Sequence, residues 1–76
     1  MYKGKIHIHT IDAARSFVAM TAKYPALSIM LESNEYSVDA HSIIGILSLD
    51  LSQPIMVEAE GDNLQEFIDD LEPYTV

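Results

Sequence analysis

Four short stretches of this chain alternate apolar and polar residues, and that period of two constrains the fold more than any other feature. Across residues 2–9, Ile6 and Ile8 point one way while Lys3, Lys5, His7 and His9 point the other. Leu27, Ile29 and Leu31 alternate with Ser28, Met30 and Glu32. Tyr36, Val38 and Ala40 alternate with Glu35, Ser37 and Asp39, and Ile55, Val57 and Ala59 with Met56, Glu58 and Glu60. Each stretch predicts a strand with one apolar and one polar face. Strands of parallel sheets, buried on both faces, read as continuous apolar runs instead. The expected sheet is therefore antiparallel and covered on one side only.

The segments between these strands carry helical periodicity. Asp12 stands where an N-cap belongs, opening a helix that runs to about Lys23. Ala13, Phe17, Met20 and Tyr24 form its apolar stripe, with Ala14, Val18 and Thr21 beside them. Pro25 ends it, because the residue before a proline is pushed out of the helical region. A second, short helix opens at Ser42, whose hydroxyl can accept from a backbone N–H two or three residues on. Asp62 caps the last helix, with Gln65 three residues later as in a capping box. Leu64, Phe67, Ile68 and Leu71 make that helix's stripe, and Pro73 lies beyond its end. Ser33-Asn34-Glu35 joins the second and third strands. Asn34 suits positive φ and Glu35 does not, which favours a turn of more than two residues. The element order is βαββαβα, an α+β chain with all helix stripes on one side of the sheet, and residues 1–76 are expected to form one domain.

Charge and composition exclude several function classes. Twelve acidic residues against four basic ones give a net charge of −8. Nucleic acid and anionic membrane surfaces need clustered Lys and Arg, so neither is an expected partner. With no Cys, a disulfide framework or thiolate metal site is ruled out. No apolar run approaches the ~20 residues that span a bilayer, and the N-terminus lacks a signal-peptide pattern, so the expected location is the cytoplasm. A sheet covered on one side leaves little room for a substrate cleft. A binding protein is therefore expected rather than an enzyme, and no cofactor.

The run Ser42-Ile43-Ile44-Gly45-Ile46-Leu47-Ser48-Leu49 resembles the regulatory-serine helix of HPr, the small phosphocarrier of the bacterial sugar phosphotransferase system. That family carries Ser-Ile-Met-Gly-Val-Met-Ser-Leu after its third strand. Lys23-Tyr24, Leu31-Glu32 and Gly61-Asp62 extend the likeness, which covers nearly the whole chain. The resemblance implies an HPr-like open-faced sandwich, a four-stranded antiparallel sheet covered on one face by three helices. It also implies that the first and fourth strands are neighbours. Glu58 and Glu60 would then face Lys3, Lys5 and His7.

The resemblance further implies where phosphate chemistry should lie. The family phosphorylates a His at the start of the first helix, within a motif close to Gly-Ile-His-Ala-Arg-Pro-Ala. Helix N-terminal N–H groups and a nearby Arg stabilise the phosphoryl anion. The corresponding stretch here is Thr10-Ile11-Asp12-Ala13-Ala14-Arg15-Ser16-Phe17. One register puts Asp12 at the His position and another puts Thr10 there. Neither supplies a His, neither places Arg15 at the family's Arg, and the Pro is missing. Histidine relay of the usual kind is not expected. The alternatives are a displaced phosphoacceptor, His9 or Asp12, or an acidic interaction domain unrelated to sugar transport. His7 and His9 lie roughly 6.6 Å apart on ordinary strand rise. They are read as solvated residues rather than metal ligands.

Ser42 is the remaining candidate. In many relatives the regulatory Ser is phosphorylated by a dedicated kinase, and the helix then meets a transcription regulator. On that reading Ile43, Ile44 and Leu47, with Arg15, would form the partner-binding surface. The competing reading makes Ser42 only a cap and the isoleucines only core. Crh, a regulatory member of the family, also lacks the His and keeps the Ser. The expected partner is thus a protein: a transcription regulator, a kinase or another phosphotransferase-system protein. His41 stands where the family has Lys, and the first helix offers only Arg15 and Lys23, offset by Asp12, on a strongly acidic molecule. Steering toward an acidic partner would be weak or reversed.

Overall fold

The computed structural model describes residues 1–75. These form β1 (Tyr2–Ile6), α1 (Ile11–Thr21), β2 (Ser28–Ser33), β3 (Tyr36–Asp39), α2 (Ile43–Leu47), β4 (Ile55–Glu60) and α3 (Leu64–Leu71). A 3-10 turn over Glu72–Tyr74 follows. The strands make one sheet in the order β1-β4-β2-β3, antiparallel at every pairing. The expected α+β architecture is therefore the observed one.

The alternation decides which side is buried. Ile6, Ile29, Leu31, Ile55, Val57 and Ala59 are all at most 1% exposed, and the helices cover them with Phe17, Ile46, Phe67 and Leu71, each fully buried. The opposite face carries Lys3 and Glu58, paired directly across β1 and β4 with a salt bridge of 3.7 Å. The expected pairing of Lys5 with a glutamate does not form. The register sets Lys5 against Met56 and leaves Glu60 beside Ser28 on β2.

Several boundaries differ from the sequence reading, each for a local reason. The first strand ends at Ile6 rather than His9 because its partner β4 begins at Ile55, after Pro54, which has no N–H to donate. Beyond that point the C-terminal segment takes over as partner. His7 N–H donates to Tyr74 O at 2.8 Å, and Ile6 bridges Thr75. The hairpin is tight: Ser33 pairs with Tyr36, leaving only Asn34 and Glu35 in the loop. Asn34 takes φ 56 and Glu35 does not share it, the sign pattern of a type II′ turn, so the glutamate is not strained. At α3 the expected Asp62 cap and capping box are absent. Asn63, in a left-handed conformation, precedes the helix without a side-chain cap bond. Gln65 donates instead to Asp69, one turn along, at 2.9 Å.

Five contacts fix α1 and the residues just after it in place. Thr21, fully buried, donates through Oγ1 to Ala40 O at 3.0 Å, tying the end of α1 to the corner after β3. Tyr24 packs edge-on to Phe67 of α3 at 5.6 Å and donates its hydroxyl to the Asp70 carboxylate. Lys23 reaches the same carboxylate at 2.8 Å. At the other end Phe17 packs edge-on to Tyr74 at 5.1 Å.

Candidate functional site

The start of α1 is organised by Thr10, not by Asp12. Thr10 is extended (φ −137, ψ 163), and its Oγ1 accepts from Ala13 N–H at 3.0 Å. An extended backbone suits a β-branched threonine, and this cap satisfies one of the first-turn donors. The expectation that Asp12 is the cap is thus corrected. Asp12 sits one residue inside the first turn, exposed, where its charge still favours the positive end of the helix dipole. Arg15 is exposed on the next turn, and neither residue forms an ion pair among the described residues.

His9 is exposed in the connection before Thr10, and its ring stacks on that of His7 at 4.6 Å. The His7 Nδ1 atom is buried without a hydrogen-bond partner among the described residues. No group of three or more His, Cys, Asp or Glu side chains that could hold a metal occurs among the described residues.

The start of α2 follows the sequence reading. Ser42 is extended (φ −110, ψ 114) and its Oγ accepts from Gly45 N–H at 3.1 Å. Gly45 permits the close seat of this helix, since a Cβ there would stand 3.2 Å from Val38 Cβ. The apolar residues of α2 divide between two tasks. Ile46 is fully buried, and Ile43 packs half-buried against the core. Ile44 is 80% exposed and Leu47 43% exposed. Of the expected surface, Ile44 and Leu47 are exposed on α2 and Arg15 on α1, while Ile43 is turned largely inward.

A clamp precedes this helix. Asp39 Oδ1 accepts from the His41 N–H and lies 2.8 Å from His41 Nδ1, while His41 Nε2 lies 3.2 Å from Tyr24 O. The His41 backbone bond, then the ring contact, holds the Asp39 carboxyl below its ordinary pKa. Sequence reasoning did not pick out this clamp. Its signal was Asp39-Ala40-His41, the spacing at which an aspartate caps the backbone two residues on. Because His41 and Ala40 meet Tyr24 and Thr21, Ser42 lies beside the C-terminal end of α1. The two candidate phosphate positions therefore belong to opposite ends of that helix, roughly 15 Å apart on ordinary helix rise.

A family profile described as the PTS HPr component phosphorylation site matches residues 5–75. The structure is similar to that of HPr-C-His from Thermoanaerobacter tengcongensis, with a TM-score of 0.82 and 32% identity over 96% of this chain and 89% of that one. It also resembles a phosphocarrier protein HPr from Bacillus anthracis str. Ames, with a TM-score of 0.76 over 99% of this chain and 96% of that one. At 23% identity this second likeness is one of fold. No curated protein sequence matches the chain. No helix among the described residues is long and apolar enough to cross a membrane. With the profile spanning nearly its whole length, the chain belongs to the HPr family of the phosphotransferase system, whose members are phosphocarrier proteins and not enzymes.

Proposed function

We propose that this HPr-family chain works as a protein-binding regulatory module rather than as a histidine phosphocarrier, with Ser42 as its phosphorylation position. The observation that carries this reading is the start of α1. Thr10 occupies the cap, its oxygen already takes the Ala13 N–H, and the Asp12 carboxylate sits in the first turn. A phosphoryl anion arriving there meets a like charge and one donor fewer than an open helix start offers. His9 lies outside the helix and stacks on His7.

Ser42 supports the regulatory half of the reading. Ser42 is half-buried at a helix start, with the exposed Ile44 two residues on and Leu47 five. A phosphate on its Oγ would exchange the Gly45 cap bond for charge-assisted contacts to the same N–H groups. The partner is a protein: a transcription regulator, the serine kinase or another phosphotransferase-system component. The Cys-free composition fits a reducing cytoplasm.

Incubation with ATP and an HPr serine kinase, followed by mass spectrometry, tests the assignment. The expected result is a single phosphate on Ser42, absent in Ser42→Ala. No label, or label retained in the variant, would refute it.

A further inference from the structure

We infer that the α2 face carrying Ile44 and Leu47 docks a partner surface that is both apolar and basic, the reverse of the acidic partner a basic carrier would seek. This rests on the reading of α2 as a docking element and adds the chemistry of what it docks.

The charges are unevenly spread along the chain. All four cationic residues, Lys3, Lys5, Arg15 and Lys23, fall in the first 23 positions, and every acidic residue except Asp12 falls after them. Residues 24–76 therefore contain no Lys or Arg at all. The fold offsets this asymmetry only in part, with Lys5 and Arg15 in no ion pair among the described residues. Lys3 is committed to Glu58 and Lys23 to Asp70. α2 lies wholly within the cation-free part, with Asp39 before it and Asp50 after it, both exposed. The Asp39 and Asp50 carboxyls are each held below the ordinary range, the first by the His41 N–H, the second by the Ser52 hydroxyl and N–H. Both are charged near neutral pH.

The apolar component separates this face from the other acidic surfaces. α3 carries Glu66, Asp69 and Asp70, but its large apolar side chains are buried or half-buried. On α2, Ile44 at 80% and Leu47 at 43% exposure lie in the chain between the exposed Asp39 and Asp50. Exposed aliphatic anchors flanked in the chain by acidic residues on both sides fit a surface with aliphatic contacts rimmed by basic groups. An acidic partner would bring carboxylates against Asp39 and Asp50 with no cation within residues 24–76 to offset them.

The test uses the folded, unphosphorylated chain, labelled with nitrogen-15, and two synthetic amphipathic peptides. They share one leucine spacing, and carry lysine in one and glutamate in the other at every polar position. The expected result is saturable shifts of amide signals over residues 39–50 with the lysine peptide. Those shifts weaken as salt is raised and are absent with the glutamate peptide. Ile44→Ser with Leu47→Ser, both exposed positions and so compatible with the fold, should weaken that binding by about tenfold or more. Shifts centred on α3 or on the open sheet face, equal response to both peptides, or no saturable response would overturn the inference. Preference for the glutamate peptide at residues 39–50 would also overturn it while leaving α2 as a docking face. Failure to label Ser42 with kinase bears only on the regulatory reading, so the two failures are distinguishable.

Discussion

Replacing Ile46 and Ile44 separately by alanine measures the division of labour within α2. Ile46 is fully buried and Ile44 is 80% exposed, although they are two residues apart on a five-residue helix. Ile46→Ala removes three side-chain carbons from the core, a transfer loss of roughly 2.4 kcal/mol at about 0.8 kcal/mol per buried methylene. Incomplete closure of the cavity raises the cost to about 3–4 kcal/mol, within the usual range for such truncations. A 76-residue domain holds about 4–11 kcal/mol in all, so this one change removes a large share. Ile44→Ala forfeits only the small buried fraction of its side chain and gains helix propensity, so its effect stays within about 0.5 kcal/mol. Urea unfolding followed by circular dichroism reads both, provided the slope is unchanged. Equal costs at the two positions, or an Ile46→Ala cost below about 1 kcal/mol, would refute the assignment of Ile46 to the core and Ile44 to the surface.

Further outcomes follow from the same geometry. Gly61 has φ 142, and a Cβ there would stand 2.6 Å from Leu27 Cδ2, so Gly61→Ala should lower stability by more than about 1 kcal/mol in the same unfolding assay. Tyr24 donates to Asp70, and that bond pushes its phenol up to about 12. The folded value is raised, so the stabilisation is complete below the ordinary tyrosine range near 10 and is lost as pH rises through about 12. Tyrosinate absorbance should show one late-titrating group, which returns to the ordinary range in Asp70→Asn. Asp70 itself is held low by Lys23 first and Tyr24 second. Its contribution is present above the ordinary carboxylate value near 3.9 and is lost as pH falls through the lower folded value. The unfolding midpoint of Asp70→Asn should therefore be less sensitive to acid than that of the unmodified chain. Thr10→Ala should cost about 1 kcal/mol as the loss of a cap, whereas Asp12→Ala should cost no more than a few tenths.

The strands were legible because each pays for its burial with a strict alternation, and a one-residue slip would have turned Ile29 and Leu31 out to solvent. The helix caps were less legible. Thr10 and Asp12 are both competent caps, and the choice between them depends on where β1 loses its partner at Pro54, a contact distant in sequence. Asp62 was similarly misread, because the turn uses Gly61 and Asn63 at positive φ and starts the helix one residue later. In α2 the residues Ile43, Ile44, Ile46 and Leu47 are apolar all round, so the pattern held no information about which side met the core. Gly45, seated against Val38, settles that orientation. The phosphate chemistry was read from what the α1 start lacks, and the structure adds that Thr10 and Ser42 sit at opposite ends of that helix.

The most direct test of the account is incubation of the chain with phosphoenolpyruvate and the first enzyme of the phosphotransferase system, followed by intact-mass analysis under basic conditions that preserve phosphohistidine. The account predicts no added phosphate, because the α1 start presents Thr10 and Asp12 where an acceptor imidazole would have to stand. A base-stable, acid-labile phosphate on His9 would contradict it and make the chain a working carrier with a displaced histidine.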